Sequence, residues 1–309
     1  PKNELQNRIP TTTSLNRKLL VQPPQQRMKT ILTIAICAAA IASGYSSDSY
    51  AAAPKPAKIE LGVGIVALRV PDYPGADQST NYVLPVPFMV YRGERIRASR
   101  RGISGRLYST ETAEIDFGLA GSLPVNSEDN DARRNMNDLD ITGEFGPRLK
   151  LRLFERGNDD LWLHLPLRAM SSTDFRSIRY QGWNFAPGLR YIKRLPKQTF
   201  IKVKLETGYA SSGFHDYFYG VKSNEVIAGE REAYQGKSGY TGSRFGVGFA
   251  RWWDNWRAFA GLSITNVDGS AYQDSPLVQQ ANGLTFSAGF TWTFFRSEAT
   301  AYDVLDSEI

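Results

Sequence analysis

Residues 284–295 read LTFSAGFTWTFF. Leu284, Phe286, Ala288, Phe290, Trp292 and Phe294 fall on one side of an extended chain, and Thr285, Ser287, Gly289, Thr291 and Thr293 on the other. A β-strand turns successive side chains to opposite faces, so this is a strand with one apolar face. The pattern recurs upstream with sharper contrast. Residues 139–153 set Leu139, Ile141, Phe145, Leu149, Leu151 and Leu153 against Asp140, Thr142, Glu144, Arg148, Lys150 and Arg152. Residues 200–209 set Ile201, Val203, Leu205 and Tyr209 against Lys202, Lys204 and Glu206. Leu161, Leu163, Leu165 and Leu167 oppose His164 and Arg168, and Ile59, Leu61, Val63 and Ile65 oppose Lys58, Glu60, Gly62 and Gly64.

Such strands build either a soluble antiparallel sheet or a transmembrane barrel. Their length favours the barrel: runs of about 10 to 16 residues exceed the soluble norm of about 5 to 6. Ten residues at about 3.3 Å each, tilted near 45°, cover the roughly 25 Å apolar band of an outer membrane. Aromatics gather toward strand ends, at Tyr91, Tyr180, Tyr191, Tyr209, Trp252, Trp253, Trp256 and Trp292, where interfacial girdles belong. A mean hydropathy of -0.36 is no objection, because alternation hides a lipid face from any average.

The expected fold is therefore all-β: one antiparallel transmembrane barrel. Its strands are expected at 58–70, 81–92, 94–101, 103–109, 112–123, 138–154, 160–171, 178–194, 198–210, 238–253, 256–268 and 284–295, about twelve in all. The third and fourth are weak, and merging or excluding them gives ten. Connections at 92–94, 155–159, 195–197 and 254–255 are short, and those at 71–80, 124–137, 211–237 and 269–283 are long. Short turns face the periplasm and long loops the exterior, which places both termini inside.

Residues 28–51 begin with Met28 and Lys29, continue through an apolar core from Ile31 to Ala42 and end in small residues. This is an export signal, shorter than the roughly 20 residues of a spanning helix, with cleavage expected after Ala51. Ile36 before Cys37 argues against lipidation. Residues 1–27 carry no periodic pattern and are read as translated upstream sequence or leader; 52–309 is the barrel, with 296–309 a periplasmic tail. Six of the 37 basic and two of the 31 acidic residues precede Ala52, leaving 31 against 29. The pI of 9.3 is thus largely a leader effect, and no nucleic-acid partner is expected. The sole cysteine leaves with the leader, and two histidines offer little for a metal site.

The loops carry motifs of their own. PDYPGAD (71–77) cannot continue a strand, since proline donates no backbone hydrogen bond. With YRGER (91–95), DYFYGV (216–221), AYQGKSGY (233–240) and DSPLV (274–278), in this order and spacing, it resembles the MipA/OmpV family of Gram-negative outer-membrane proteins. The resemblance spans essentially the whole mature chain. It implies an outer-membrane β-barrel in contact with lipid and, for the best-known member, a scaffold joining a lytic transglycosylase to a bifunctional penicillin-binding protein. Other members are described as adhesins, osmotically regulated proteins or antibiotic-interacting proteins. Family barrels usually end on an aromatic strand, whereas here RSEATAYDVLDSEI follows Phe295.

Two groups of residues are candidates for function. Pro71, Asp72, Tyr73, Pro74, Gly75, Tyr217, Tyr219, Gly220, Ser275 and Pro276 all fall on the outer side, either as a lid with an apolar filling or as rigid loops that limit proteolysis. Glu60, Glu114, Asp140, Glu144, Arg148, Lys150, Arg168, Lys202 and Lys204 face the lumen, together with Asp116 and Arg152, as an ion-paired plug or a narrow charge-lined pore. An open channel usually needs more strands. Catalysis finds little support. His215 and Asp216 are adjacent in sequence without a second acidic pair, and His164 with Ser171 and Ser172 makes no convincing triad. Gly242, Gly246 and Gly248 lie on a strand rather than in a nucleotide loop. No cofactor is expected. A non-enzymatic scaffold for murein-remodelling enzymes is the leading reading, and a small-solute channel the alternative.

Overall fold

Alternation of apolar and polar side chains is realised as one meandering antiparallel sheet that closes on itself. The computed structural model describes residues 57–99, 102–122 and 124–301. The leader at 1–27, the signal at 28–51, its cleavage at Ala51 and the tail beyond 301 lie outside the described residues. The strands are β1 (Ile59–Pro71), β2 (Ser79–Arg92), β3 (Ile96–Ser99), β4 (Gly102–Ser109), β5 (Ala113–Ser122), β6 (Ile141–Arg156), β7 (Asp159–Thr173), β8 (Ile178–Phe185), β9 (Gly188–Leu195), β10 (Thr199–Ala210), β11 (Gly239–Trp253), β12 (Trp256–Asn266) and β13 (Asn282–Arg296). One helix, α1 (Ser212–Tyr219), opens the loop after β10.

Each strand pairs with its neighbours in sequence, and β13 returns to β1 with Val63 opposite Trp292 and Ile65 opposite Phe290. Thirteen segments make twelve wall positions, because β8 and β9 are successive halves of one. Both run antiparallel to β7, β8 opposite Leu167–Thr173 and β9 opposite Asp159–His164. Pro187 causes the interruption. Its carbonyl accepts the Thr207 N–H at 3.1 Å, but proline has no N–H to return. The two weak strands of the sequence both stand in the wall, as β3 and β4, so the barrel has twelve positions and not ten.

Every wall strand presents large apolar side chains to the exterior, among them Ile65, Val83, Leu119, Phe145, Leu205, Phe249, Ile264 and Phe286. A continuous belt of this kind has no place in water and is the lipid-facing surface of a membrane barrel. At the short-turn end the belt becomes an aromatic girdle. Trp256 stacks on Phe290 (centroids 4.8 Å) and on Trp292 (5.8 Å), and Trp292 meets Phe294. No helix among the described residues is long and apolar enough to cross a membrane, so strands alone form the span.

The edge of β2 is unusual. Among the described residues it pairs with β3 only at Tyr91 and Arg92. The Arg92 N–H points toward β1, donating to the Lys58 carbonyl at 2.8 Å, and the Gly93 N–H points toward β3, donating to Ile96. Because successive N–H groups alternate sides, Pro85 and Pro87 stand where the missing N–H faces away from β1. The β1–β2 ladder therefore loses no bond to either proline.

One expectation about the wall is corrected. Leu139 was assigned to the lipid face of a strand beginning at 138, but β6 begins at Ile141. Leu139 is buried and bridges Val125, because Asp138 accepts the Ser127 N–H at 2.7 Å and folds the loop back onto itself. The first part of the tail does not leave the wall at once. Ser297 N–H donates to the Ile59 carbonyl and Lys58 N–H to that of Ala299, so residues 297–300 run beside 57–59.

Candidate functional site

The inward face gathers its charges at the level of the short turns. Glu114, only 1 % exposed, meets Lys150 at 2.6 Å, Arg106 at 3.2 Å and Arg97 at 3.4 Å. Asp116 accepts Arg148 at 3.0 and 2.5 Å and Lys150 at 2.9 Å. Glu60 pairs with Arg92 at 3.0 Å. These groups come from β1 to β6 by the alternation read in the sequence, with Glu114 and Asp116 directly opposite Lys150 and Arg148 on the neighbouring strand. They form an interlocked ion-paired cluster, the arrangement expected of a plug.

The other end is covered by a lid with a core of its own. Tyr73 (3 % exposed), Ala76, Tyr219, Val221, Val267, Tyr272 and Leu277 (0 %) are packed together from three separate loops. Tyr219 stacks on Tyr272 at 3.7 Å with an 8° interplanar angle, and Tyr73 meets Tyr219 edge-on at 6.1 Å. Each hydroxyl ends on a backbone carbonyl of another segment: Tyr73 on Leu277, Tyr219 on Pro74, Tyr272 on Thr241. Burial pushes the hydroxyls of Tyr73 and Tyr219 well above the usual tyrosine range and raises that of Tyr272, so they act as fixed donors.

The proline- and glycine-rich motifs shape this packing. Gly75 adopts φ +99°, which only glycine takes without strain, and its carbonyl accepts the N–H groups of both Gln279 and Gln280. Gly220 ends α1 by donating to the Asp216 carbonyl. Ser275 Oγ donates to the Tyr219 carbonyl, and the Pro276 carbonyl accepts Gln279 Nε2. Asp72 receives Thr80 Oγ1 at 2.6 Å and Asn130 Nδ2 at 2.8 Å. Pro71 ends β1 at the top of the lumen. Tyr217 stays outside the lid core, half-buried, its hydroxyl on the Asp140 carbonyl at 3.3 Å.

Two arginines that the sequence reading passed over tie the loops together. Arg133 donates to Phe218 O, Asn137 O and Ser127 Oγ, and lies over the Tyr73 ring at 5.8 Å. Arg231 donates to the carbonyls of Glu225, Ala132 and Arg134. Both read in sequence as ordinary loop charges, Arg231 between Glu230 and Glu232 and Arg133 two residues after Asp131. His215 is fully buried against Tyr272 at 4.9 Å. Its Nδ1 meets the Lys237 carbonyl, its Nε2 has no partner, and burial holds its pKa below the usual histidine range. It is a packed side chain of the lid.

Between plug and lid lies a cavity of about 570 Å³. Arg148, Arg168, Arg190, Lys204 and Arg244 line it against Asp72, Glu144 and Glu206, beneath Phe218, Tyr219 and Tyr272. Arg168 approaches Glu144 at 3.4 Å and Lys204 meets Glu206 at 2.5 Å. Arg190 and Arg244 escaped the sequence reading, although Leu189 and Tyr191 flank the first, and Phe245, Val247 and Phe249 follow the second in alternation. Lys202 occupies the inward register between Ile192 and Gly248. Asp140 is a correction. It sits at the outer rim with Arg179 at 3.3 Å, because the strand starts one residue after it. His164 faces inward opposite Lys150, eight positions down the strand from Ser172 and far from any shared hydrogen bond. Among the described residues no group of three or more His, Cys, Asp or Glu could hold a metal ion.

Twelve wall positions, a lipid-facing apolar belt and a charged, ion-paired inward face define an outer-membrane β-barrel. The model of the family described as MltA-interacting protein MipA matches residues 63–294, and the chain belongs to that family. Similar solved structures include a bacterial polysaccharide outer-membrane secretin (10 % identity, TM-score 0.39, 76 % of this chain and 99 % of that one). Others are an outer-membrane channel from Pseudomonas putida F1 (13 %, 0.35, 81 % and 100 %) and the translocator domain of the autotransporter NalP from Neisseria meningitidis (10 %, 0.34, 87 % and 97 %). No curated protein sequence matches.

Proposed function

We propose that this barrel is a non-enzymatic, membrane-held docking partner for periplasmic murein-remodelling enzymes, a lytic transglycosylase and a bifunctional penicillin-binding protein. The observation that carries the reading is a lumen obstructed twice, by the Glu114–Lys150–Asp116 plug and by the aromatic lid. A barrel built to resist passage exerts its effect through its surfaces. The family description, an interaction with MltA, supports the same reading. Export by the signal at 28–51 delivers the chain to the outer membrane, and the partner meets the end where the short turns and residues 297–301 lie beside 57–59.

Purified mature barrel immobilised through an outer loop tests this directly. Retention of a purified lytic transglycosylase from solution, with no stepwise conductance in planar bilayers, is the expected result. No retention, combined with conductance that falls on Arg148→Gln or Lys202→Gln, replaces the docking reading by the charge-lined channel.

A further inference from the structure

The lumen cavity has a composition that neither plug nor lid requires. Its walls carry five cationic side chains against three carboxylates. Three of the cations are matched within the wall, Arg148 by Asp116, Arg168 by Glu144 and Lys204 by Glu206. Arg244 is not. Among the described residues it forms no ion pair, and its one hydrogen bond runs from Nε to Thr265 Oγ1 at 3.0 Å, which leaves both terminal nitrogens of the guanidinium for a ligand in the cavity that Arg244 lines. A planar guanidinium with its fork unoccupied is the preferred partner of a carboxylate. The aromatic residues Phe218, Tyr219 and Tyr272 line the same cavity from the lid side. A volume of about 570 Å³ is within the range of small-molecule sites.

We propose that the cavity binds a small aromatic carboxylate, its acid group on Arg244 and its ring against these lid aromatics. This goes beyond the docking reading and stands or falls independently of it, since no murein enzyme enters the measurement. Equilibrium binding to the refolded full-length barrel is measured with three probes: benzoate, acetate and benzylamine. Benzoate binds, acetate binds at least tenfold more weakly for want of a ring, and benzylamine is rejected by the cationic walls. Arg244→Gln weakens benzoate at least tenfold while the barrel keeps its heat-modifiable migration, because Arg244 supports no other side chain apart from Thr265. A tight lid slows entry, so the same titrations are run on Leu277→Ala, which loosens the lid core without lining the cavity. Benzylamine binding as well as benzoate, an Arg244→Gln variant with unchanged benzoate affinity, or no benzoate binding to either wild type or Leu277→Ala each overturns the proposal.

Discussion

Glu114 holds three buried cations with one carboxylate, and that makes it the most vulnerable side chain of the wall. Removing one partner of a buried pair leaves an uncompensated charge and costs roughly 3–5 kcal/mol. Glu114→Gln is accordingly expected to lower the free energy of unfolding in urea by about that amount and to shift the midpoint downward, and an unchanged midpoint contradicts the ion-paired cluster. His215 makes a different prediction. Around it stand Phe214, Tyr219, Tyr272 and the Lys237 carbonyl, and Asp216, the one carboxylate of its helix, is turned to the Gly236 N–H. Its folded pKa lies below the ordinary value of about 6.5, so the unfolded lid takes up a proton first as pH falls. Lid stability is then full above about pH 6.5 and declines below it. Protection factors for hydrogen exchange in residues 211–238 are expected to be constant from pH 8 to 7 and to fall toward pH 5, with His215→Gln removing the fall. At this scale the sequence was legible for charge and poor for packing. Glu114, Arg148 and Lys150 announced themselves by alternation, whereas His215, Tyr272 and Leu277 sit in loops with no period to read.

Strands were legible because a membrane wall enforces alternation along its full length. Even the four-residue β3 fell inside an expected segment. The break between β8 and β9 was not read, since a single proline in an otherwise alternating run changes one hydrogen bond and no side-chain direction. Close approaches were also hidden. At Gly146 on β6 a Cβ would lie 2.1 Å from the Leu167 carbonyl and 2.9 Å from the Arg168 Cα, both backbone atoms that cannot step aside. Gly146→Ala is therefore expected to separate β6 from β7 locally and to cost at least the roughly 1–3 kcal/mol of an overpacked site. Loss of heat-modifiable migration at a lower temperature than wild type is the measurement, and an unshifted transition refutes the packing described.

For the molecule as a whole, closure depends on β13 meeting β1 across nearly the entire chain. A protein ending at Arg296 keeps that strand intact and, among the described residues, forfeits the few bonds between 297–300 and 57–59, about 0.5–1.5 kcal/mol each. It is expected to insert and to migrate as a folded barrel, and failure to do so moves the closing strand into the tail. If the same truncation abolishes retention of the transglycosylase, the tail is the docking element. The β2 edge has a further consequence, felt only among neighbours. An outer membrane is crowded with barrels, and a row of unanswered backbone groups invites strand exchange between two copies. A foreign strand laid along β2 would find no donor at Pro85 or Pro87, and two of its own carbonyls would go without a partner in a medium that cannot solvate them. The two prolines thus give this barrel a boundary against strand addition where its wall is least complete.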